Sequence, residues 1–287
     1  MRGRSPARGR GGPRSVFVLG AGKVGAALAR ELAGAGLRVT LRPMRRGLPS
    51  RPIDADLLVL ALRDRDLGPT AERIAARRLI GHRPVAVVHC AGALGPEVLA
   101  PLRAAGPRVA VAQMHPMISF ATPRRSPSLL RGQLHVDGDA PAMRAARALG
   151  RLLGMRPRTI RGLDRVAYHA AAGLVANGAA ALAAAGIELL EKAGVDRATG
   201  AAMLGPLLRS VAENVERLAM PEALTGPVRR GDVSGVERHL ATLARLAPGL
   251  VPLYRACGLA QIPHARALGE AEGGALDRIA ELLGGAG

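Results

Sequence analysis

The most informative segment of the chain is Val16-Phe17-Val18-Leu19-Gly20-Ala21-Gly22-Lys23-Val24-Gly25. Four apolar residues of strand type lead into a Gly-x-Gly-x-x-Gly loop, and a helix-forming segment, residues 26–33, follows directly. In this pattern the first glycine makes a tight turn, the second leaves room for a diphosphate, and the third lets the helix pack against the strand. The start of that helix would offer free N–H groups to the phosphates. We therefore predict a dinucleotide site formed by Gly20, Ala21, Gly22, Lys23, Val24 and Gly25; a strand-to-helix turn without a ligand is the alternative.

The chain changes character at about Gly162. Before it, strand-like segments near residues 37–41, 56–62, 85–89, 108–112, 133–136 and 155–160 alternate with helix-like ones. After it, an Ala-rich helical pattern covers about residues 163–193, 196–218, 233–247, 248–257 and 264–283. Alternating strands and helices predict a parallel sheet covered by helices. We predict an α/β Rossmann-like parallel-sheet domain over residues 15–161, an all-α C-terminal domain over residues 162–287, and a disordered basic tail over residues 1–14.

Composition limits the classes of partner. The formal net charge of the 287 residues is +19, but the basic residues are almost all scattered arginines and aromatics make up only 1%. Bases stack on aromatic side chains, so we expect no specific nucleic-acid partner. Cys90 and Cys257 form no CxxC motif, which indicates neither a metal site nor a disulfide framework and fits the cytoplasm. We expect no signal peptide and no membrane-spanning segment, because the apolar runs are short or interrupted.

The end of the second predicted strand points to the cofactor. NAD sites usually carry an acid about twenty residues past the glycines, where it binds the ribose 2′-hydroxyl. Here the segment from Leu41 to Arg46 has no acid and three arginines. A guanidinium matches a 2′-phosphate in charge and geometry. We predict that Arg42 and Arg45 bind NADP; the alternative is that they belong to the Arg-rich background.

Polar residues follow several other predicted strands. The carboxyl ends of parallel strands share one edge of the sheet, and ligands bind there. Leu62, His89 and Gly92 are therefore expected at the cofactor, and His115 and Ser119 at a substrate. For each histidine the alternative is a ring held by nearby backbone groups.

A second set of polar residues lies in the helical half. At about 100° per residue, His169, Gly173 and Asn177 fall within roughly 80° of one another, whereas Tyr168 points away from Asn177. We predict His169 as the general acid/base and Asn177 as the group that orients the substrate; a hydrogen-bonded structural pair is the alternative. Thr225 and Arg230 lie in a Gly/Pro-rich loop and are predicted, together with Asp232, to bind a substrate carboxylate. The alternative is that these residues have core or capping roles, with Asp232 capping the helix that follows.

Together these motifs resemble a bacterial family that joins a Rossmann-like domain to a C-terminal helical domain of unknown function. The resemblance rests on the glycine loop, His89 to Gly92, His115-Pro116-Met117 with Phe120, Tyr168-His169 with Asn177, and Thr225-Gly226-Pro227 with Arg230-Gly231-Asp232. More distantly, the chain is similar to pyrroline-5-carboxylate reductase, ketopantoate reductase and 3-hydroxyisobutyrate dehydrogenase. This resemblance implies a C-terminal domain like that of 6-phosphogluconate dehydrogenase, a nicotinamide cofactor, and a homodimer formed through the helical domain.

These observations predict an NADP-dependent oxidoreductase that transfers a hydride between NADP(H) and a small C=O/CH–OH or C=N/CH–NH substrate. A non-catalytic NADP-binding sensor or interaction module is the alternative.

Overall fold

The sheet begins with β1, Ser15–Leu19, and the glycine loop leads directly into α1, Lys23–Gly34. In this computed structural model residues 12–285 are described. Most of the predicted tail, residues 1–11, lies outside them, whereas the backbone N–H of Arg14 donates to Asp56 at 2.8 Å. The chain divides into two compact units, Met1–Gly173 and Leu174–Gly287. The predicted domain boundaries, at residues 14 and 161, stay predictions.

The first unit contains one seven-stranded sheet in the order β2-β1-β3-β4-β5-β6-β7. The remaining strands are β2 (Arg38–Arg42), β3 (Leu57–Leu60), β4 (Val85–His89), β5 (Val109–Pro116), β6 (Gln133–Gly138) and β7 (Arg156–Arg158). All neighbouring strands are parallel except β5 and β6, which are antiparallel. The predicted Rossmann-like α/β class is confirmed, with one antiparallel pair in an otherwise parallel sheet.

Helices cover both faces of this sheet. They are α2 (Asp64–Ala76), α3 (Ala100–Ala104) and α4 (Ala140–Leu152) in addition to α1. Leu28, Leu32 and Leu149 belong to one buried apolar cluster, and Leu67 and Ile74 belong to another. Strands buried on both faces read as continuous apolar runs, which is why β3 and β4 were predictable from the sequence.

The helical region begins with α5, Arg165–Lys192, and the division between the units falls inside it. Then come α6 (Arg197–Leu218), α7 (Pro227–Arg230), α8 (Val233–Leu246), α9 (Val251–Leu268) and α10 (Ala275–Gly284). The all-α C-terminal region is confirmed. The break predicted between residues 257 and 264 is wrong, because α9 continues through Pro263 to Leu268. The φ of 66° at the following Gly269 suits a glycine C-cap. The second unit has its own core, which includes Val236, Ile262 and Ile279.

The helix α5 has no buried residue. By length and composition it could cross a membrane, since an 18-residue window has a mean hydropathy of 1.6 and none of that window is buried. The expectation that no segment is long and apolar enough is therefore wrong for α5. Helix α6 buries only Gly200.

Candidate functional site

The glycine loop fits a bound diphosphate. Gly20 has φ 108°, and a Cβ on Gly25 would overlap the backbone oxygen of Gly20, so both positions need glycine. A Cβ on Gly22 would meet nothing within 4 Å, so the backbone here faces open space. Lys23 and Val24 begin α1, and the N–H groups of a first helical turn have no partner inside the helix. The loop thus offers free donors and room for a phosphate group.

Arg42 stands at the carboxyl end of β2, as predicted, but it is engaged with the loop that follows. Its guanidinium donates to the backbone oxygens of Gly47 at 2.7 Å and Arg46 at 2.8 Å. The short turn Met44–Arg46 leaves Arg45 and Arg46 exposed. Arg42 therefore shapes this loop, and Arg45 is the freer of the two predicted NADP ligands.

His89 is fully buried at the end of β4. Its Nδ1 accepts the backbone N–H of Ala91 at 3.2 Å, so the hydrogen lies on Nε2, which donates to the backbone oxygen of Gly95 at 3.0 Å. Burial lowers the pKa of His89 to about 4, which keeps the ring neutral. Both ring nitrogens are thus used to hold the loop that contains Gly92.

One face of the β5–β6 pair is polar where the opposite face is apolar. In the antiparallel register Gln113 lies opposite Asp137, and His115 lies opposite His135. These four side chains share a face because residues two apart on a strand point the same way. Met114, Leu134 and Val136 occupy the other face within the apolar core. A polar patch is therefore built into two core strands.

Hydrogen bonds satisfy most of this polar patch. Gln113 is fully buried; its side-chain N–H groups donate to the backbone oxygens of Ala91 at 2.8 Å and Gly92 at 3.2 Å. Its oxygen accepts from His135 Nδ1 at 3.2 Å. Burial is the main cause that lowers the pKa of His135.

The first turn of α5 is attached to this patch. Arg165 forms an ion pair with Asp137, and its Nε donates to the side-chain oxygen of Gln113 at 3.4 Å. One turn later Tyr168 donates or accepts a hydrogen bond with His115 Nδ1 at 3.1 Å. The ring centroids of His115 and His169 lie 5.7 Å apart in an edge-to-face arrangement. Arg165 thus fixes the helix so that Tyr168 and His169 lie beside His115.

The imidazoles of His115 and His169 converge on Gly92. A Cβ on Gly92 would overlap His169 Nδ1 and would lie 2.8 Å from His115 Nε2. His115 is 9% exposed, whereas His169 is exposed. Burial, together with the nearby His169 and His135, lowers the pKa of His115 to about 4. A neutral buried imidazole and an exposed one therefore face the same point.

The other predicted site residues are less constrained. Leu62 packs near the glycine loop, with its Cδ2 3.1 Å from a Cβ placed on Gly20, and Ser119 is exposed three residues past β5. Asn177 lies in the second unit with its side chain exposed, as do Thr225 and Arg230. Their predicted roles stay predictions. The capping role of Asp232 is confirmed, since its side chain accepts the Gly235 N–H at 2.8 Å.

Sequence reasoning missed five contributors to the site: Gln113, His135, Asp137, Arg165 and Tyr168. The helical spacing separated Tyr168 from Asn177 but could not show the histidine that Tyr168 meets on β5. The signal that was available is the alternation of Gln113 and His115 with apolar residues, which is typical of a strand rather than a loop.

Comparisons with known proteins agree with this architecture. Residues 133–261 match the family model of a domain of unknown function. The model is that of DUF2520, and the match covers less than half of the chain. The matched segment begins at β6, so it includes half of the polar patch and the helical region into α9. No curated protein matches the sequence.

Solved structures show the same fold. A candidate NADP oxidoreductase from Bacteroides fragilis is 20% identical with a TM-score of 0.67, covering 86% of this chain and 97% of its own. Plasmodium falciparum pyrroline carboxylate reductase with NADP bound is 14% identical with a TM-score of 0.58, over 94% and 98% of the two chains. An imine reductase from a Pseudomonas species is 20% identical with a TM-score of 0.52, over 82% and 88%. The predicted resemblance to Rossmann-like oxidoreductases with a helical C-terminal region is thus confirmed at the level of the fold.

Proposed function

We propose that this protein is an NADP-dependent oxidoreductase that interconverts a small C=O or C=N compound and its reduced CH–OH or CH–NH form. The convergence of His115 and His169 beside Gly92 carries this proposal. The glycine loop after β1 and His115 at the end of β5 lie on one edge of the same sheet, three strand spacings or roughly 14 Å apart. A dinucleotide bound along this edge would have its diphosphate at one end and a proton-carrying group at the other.

Each part of the chain has a separate task in this proposal. Gly22 and the first turn of α1 hold the diphosphate, and Arg45 pairs with the 2′-phosphate on the loop that Arg42 shapes. When bound, NADPH supplies the hydride. His169 is exposed and faces the space beside Gly92, so it acts as the general acid/base, and Asn177 orients the substrate.

The test is turnover. Purified protein, NADPH and a panel of ketoacids, aldehydes and cyclic imines are mixed, and loss of the NADPH absorbance is followed. We expect His169→Ala to lower turnover roughly 10²–10⁴-fold, the usual contribution of a positioned imidazole, with nearly unchanged NADPH affinity. His264→Ala, on α9, is the matched control and is expected to leave turnover unchanged. Equal turnover of His169→Ala and wild type would remove His169 from the mechanism.

A non-catalytic NADP-binding module is the second candidate. We retain this candidate function because the matching family model describes a domain of unknown function and names no reaction. Tight NADPH binding without turnover across the whole panel would support the module over the enzyme.

We also propose that two copies of the chain associate through the helical region. Its exposed large apolar residues on α6 are Met203, Leu207, Leu208, Val211, Val215 and Leu218. At about 100° per residue they lie within an arc of roughly 140°. Gly200 and Leu204 fall on the same face and pack against α5, so the apolar stripe continues an existing helix contact. Exposed apolar stripes of this extent usually mark protein interfaces.

A second copy fits this stripe better than lipid does. The rest of α6 carries charged residues, among them Arg209, Glu213 and Arg217, and a hydrocarbon interior would desolvate them at high cost. A protein interface instead combines an apolar centre with a polar rim. The two free cysteines support a cytoplasmic location.

The association is tested by light scattering after size-exclusion chromatography. We expect a wild-type dimer and a monomer for the double variant Leu207→Asp with Val211→Asp. Ala202→Asp adds the same charge on the opposite side of α6 and should stay dimeric. A monomeric wild type, or flotation of the protein with phosphatidylcholine vesicles, would contradict the proposal.

A further inference from the structure

Two imidazole nitrogens bound the space beside Gly92: Nδ1 of His169 and Nε2 of His115. In His115, the more buried of the two rings, the other ring nitrogen already has a hydrogen-bond partner. His115 presents Nε2 to this space, while its Nδ1 is 3.1 Å from the hydroxyl of Tyr168. The hydrogen bond at one ring nitrogen decides which form the other nitrogen takes. The hydrogen bond between Tyr168 and His115 Nδ1 therefore determines whether His115 Nε2 is a donor or an acceptor toward a ligand.

The direction of the hydrogen bond between Tyr168 and His115 follows from the chemistry of the two groups. A phenol is a better donor than acceptor, and an unprotonated imidazole nitrogen is a good acceptor. Burial raises the pKa of Tyr168, so the phenol keeps its hydrogen. The favoured arrangement has the Tyr168 O–H donating to Nδ1, which leaves the single ring hydrogen of neutral His115 on Nε2.

The surroundings keep His115 uncharged. Burial disfavours a positive charge on it, and the nearby His169, His135 and His89 act in the same direction. The nearest acid of the patch, Asp137, is paired with Arg165. A neutral imidazole with its hydrogen on Nε2 donates a hydrogen bond without transferring a proton.

We infer that Tyr168 locks His115 in the neutral Nε2–H form, and that His115 Nε2–H donates a hydrogen bond to the oxygen or nitrogen of the substrate double bond in the space beside Gly92. The inference rests on the proposed function for the identity of that atom. The inference separates three roles. His115 contacts and polarises the substrate, His169 carries the proton, and Tyr168 is a positioning residue. Gly92 leaves the room in which the substrate atom meets both rings.

The ring form of His115 is measured on the protein without ligand, so the result does not depend on any activity. The protein is labelled with ¹⁵N-histidine, and long-range ¹H–¹⁵N spectra distinguish the two neutral ring forms. The signal of His115 is assigned from its loss in His115→Gln. We expect the Nε2–H form to persist from pH 8 to pH 5 in wild type, and Tyr168→Phe to show a mixture of both forms. An Nδ1–H ring in wild type, or identical spectra of His115 in wild type and Tyr168→Phe, would overturn the lock.

The donor role is measured with the most active compound of the panel. A glutamine side chain can place an N–H close to the position of Nε2 and does not titrate. We expect His115→Leu to lower kcat roughly 10²–10³-fold, as removal of a donor to a developing oxyanion does. His115→Gln should recover kcat to within about tenfold of wild type, and Tyr168→Phe should lower kcat about three- to tenfold with an unchanged KM for NADPH.

Equal losses in His115→Gln and His115→Leu, in variants whose thermal unfolding matches wild type, would show that His115 transfers a proton and would refute the donor role. Absence of turnover in wild type would refute the proposed function instead, and the spectra would still decide the state of His115.

Discussion

Replacing Gly22 with alanine tests whether the loop after β1 holds a diphosphate. Gly22 is the N-cap of α1, and its φ of −73° and ψ of −168° are extended values that alanine adopts without strain. The new methyl group would meet nothing within 4 Å. Loss of a glycine N-cap costs roughly 0.5–1 kcal/mol, and the stiffer unfolded chain offsets roughly 0.4–1 kcal/mol. The free energy of unfolding should therefore change by less than about 1 kcal/mol.

Binding should change far more than stability. The methyl group of Gly22→Ala would stand where the diphosphate approaches the backbone, so the N–H groups of the first turn would lose their ligand. We expect the Kd for NADPH to rise at least about 100-fold, equivalent to roughly 2.7 kcal/mol. Isothermal titration calorimetry gives the Kd, and thermal unfolding without ligand gives the stability.

Two other glycines of the same helix provide controls. Gly34→Ala also adds a methyl into open space, at the far end of α1, and should leave NADPH binding unchanged. Gly25→Ala would overlap the Gly20 backbone oxygen and approach Ala61 Cβ to 3.0 Å, so we expect it to lose about 1–3 kcal/mol of stability as well as binding. Wild-type affinity in Gly22→Ala would refute a diphosphate at this loop.

Three further predictions address the cofactor, the histidines and acid stability. Arg45→Ala should raise the Kd for NADPH about tenfold and leave that for NADH unchanged, whereas Arg38→Ala, at the other end of β2, should affect neither; equal losses for both cofactors would contradict the assignment. Gly92→Ala should lower turnover as strongly as His169→Ala, because its Cβ would overlap His169 Nδ1, and normal turnover would contradict a substrate atom at this point. Burial alone would raise the pKa of Asp56, but hydrogen bonds from Arg83 and from the backbone of residues 14 and 15 lower it to about 2. The stability that Asp56 contributes is therefore complete above its pKa in the unfolded chain and is lost as the pH falls through its pKa in the folded protein. In Asp56→Asn, the free energy of unfolding, measured with urea, should fall less between about pH 4 and pH 2 than it does in wild type.

The glycine loop could be predicted because each of its requirements is local. A strand before it, a helix after it and three glycines at fixed spacing can all be read within about twenty residues, and the positive φ of Gly20 and the close approach at Gly25 follow from that spacing. The same holds for β3 and β4, whose burial on both faces leaves continuous apolar runs.

The polar patch could not be predicted in this way. Gln113 and His115 read as a loop because polar residues usually end a buried strand, yet β5 continues to Pro116. They stay in the strand because β6, twenty residues later, supplies their hydrogen-bond partners across an antiparallel register. The role of Tyr168 has the same origin, since its partner belongs to another element.

In the helical region, by contrast, a local signal predicted a helix end that packing overrides. Its helices were predictable from composition, but the break predicted between residues 257 and 264 is absent, and α9 runs through Pro263. The missing N–H of a proline removes one helical hydrogen bond, and the packing of Ile262 and Ala265 into the second core stabilises the helix around it. Local residue propensity indicates where a helix can end, and tertiary packing determines whether it ends there.

The antiparallel register of β5 and β6 ties the histidine site to the apolar core. A shift of one residue in either strand would turn Met114 or Leu134 and Val136 outward and bring imidazole and carboxylate groups into the apolar cluster. Each such exchange would lose buried apolar area and desolvate an unpaired polar group. The residues that keep His115 and His135 in place therefore include apolar ones that never touch a ligand. Selection for a stable core on one face of these strands would preserve the geometry of the chemistry on the other.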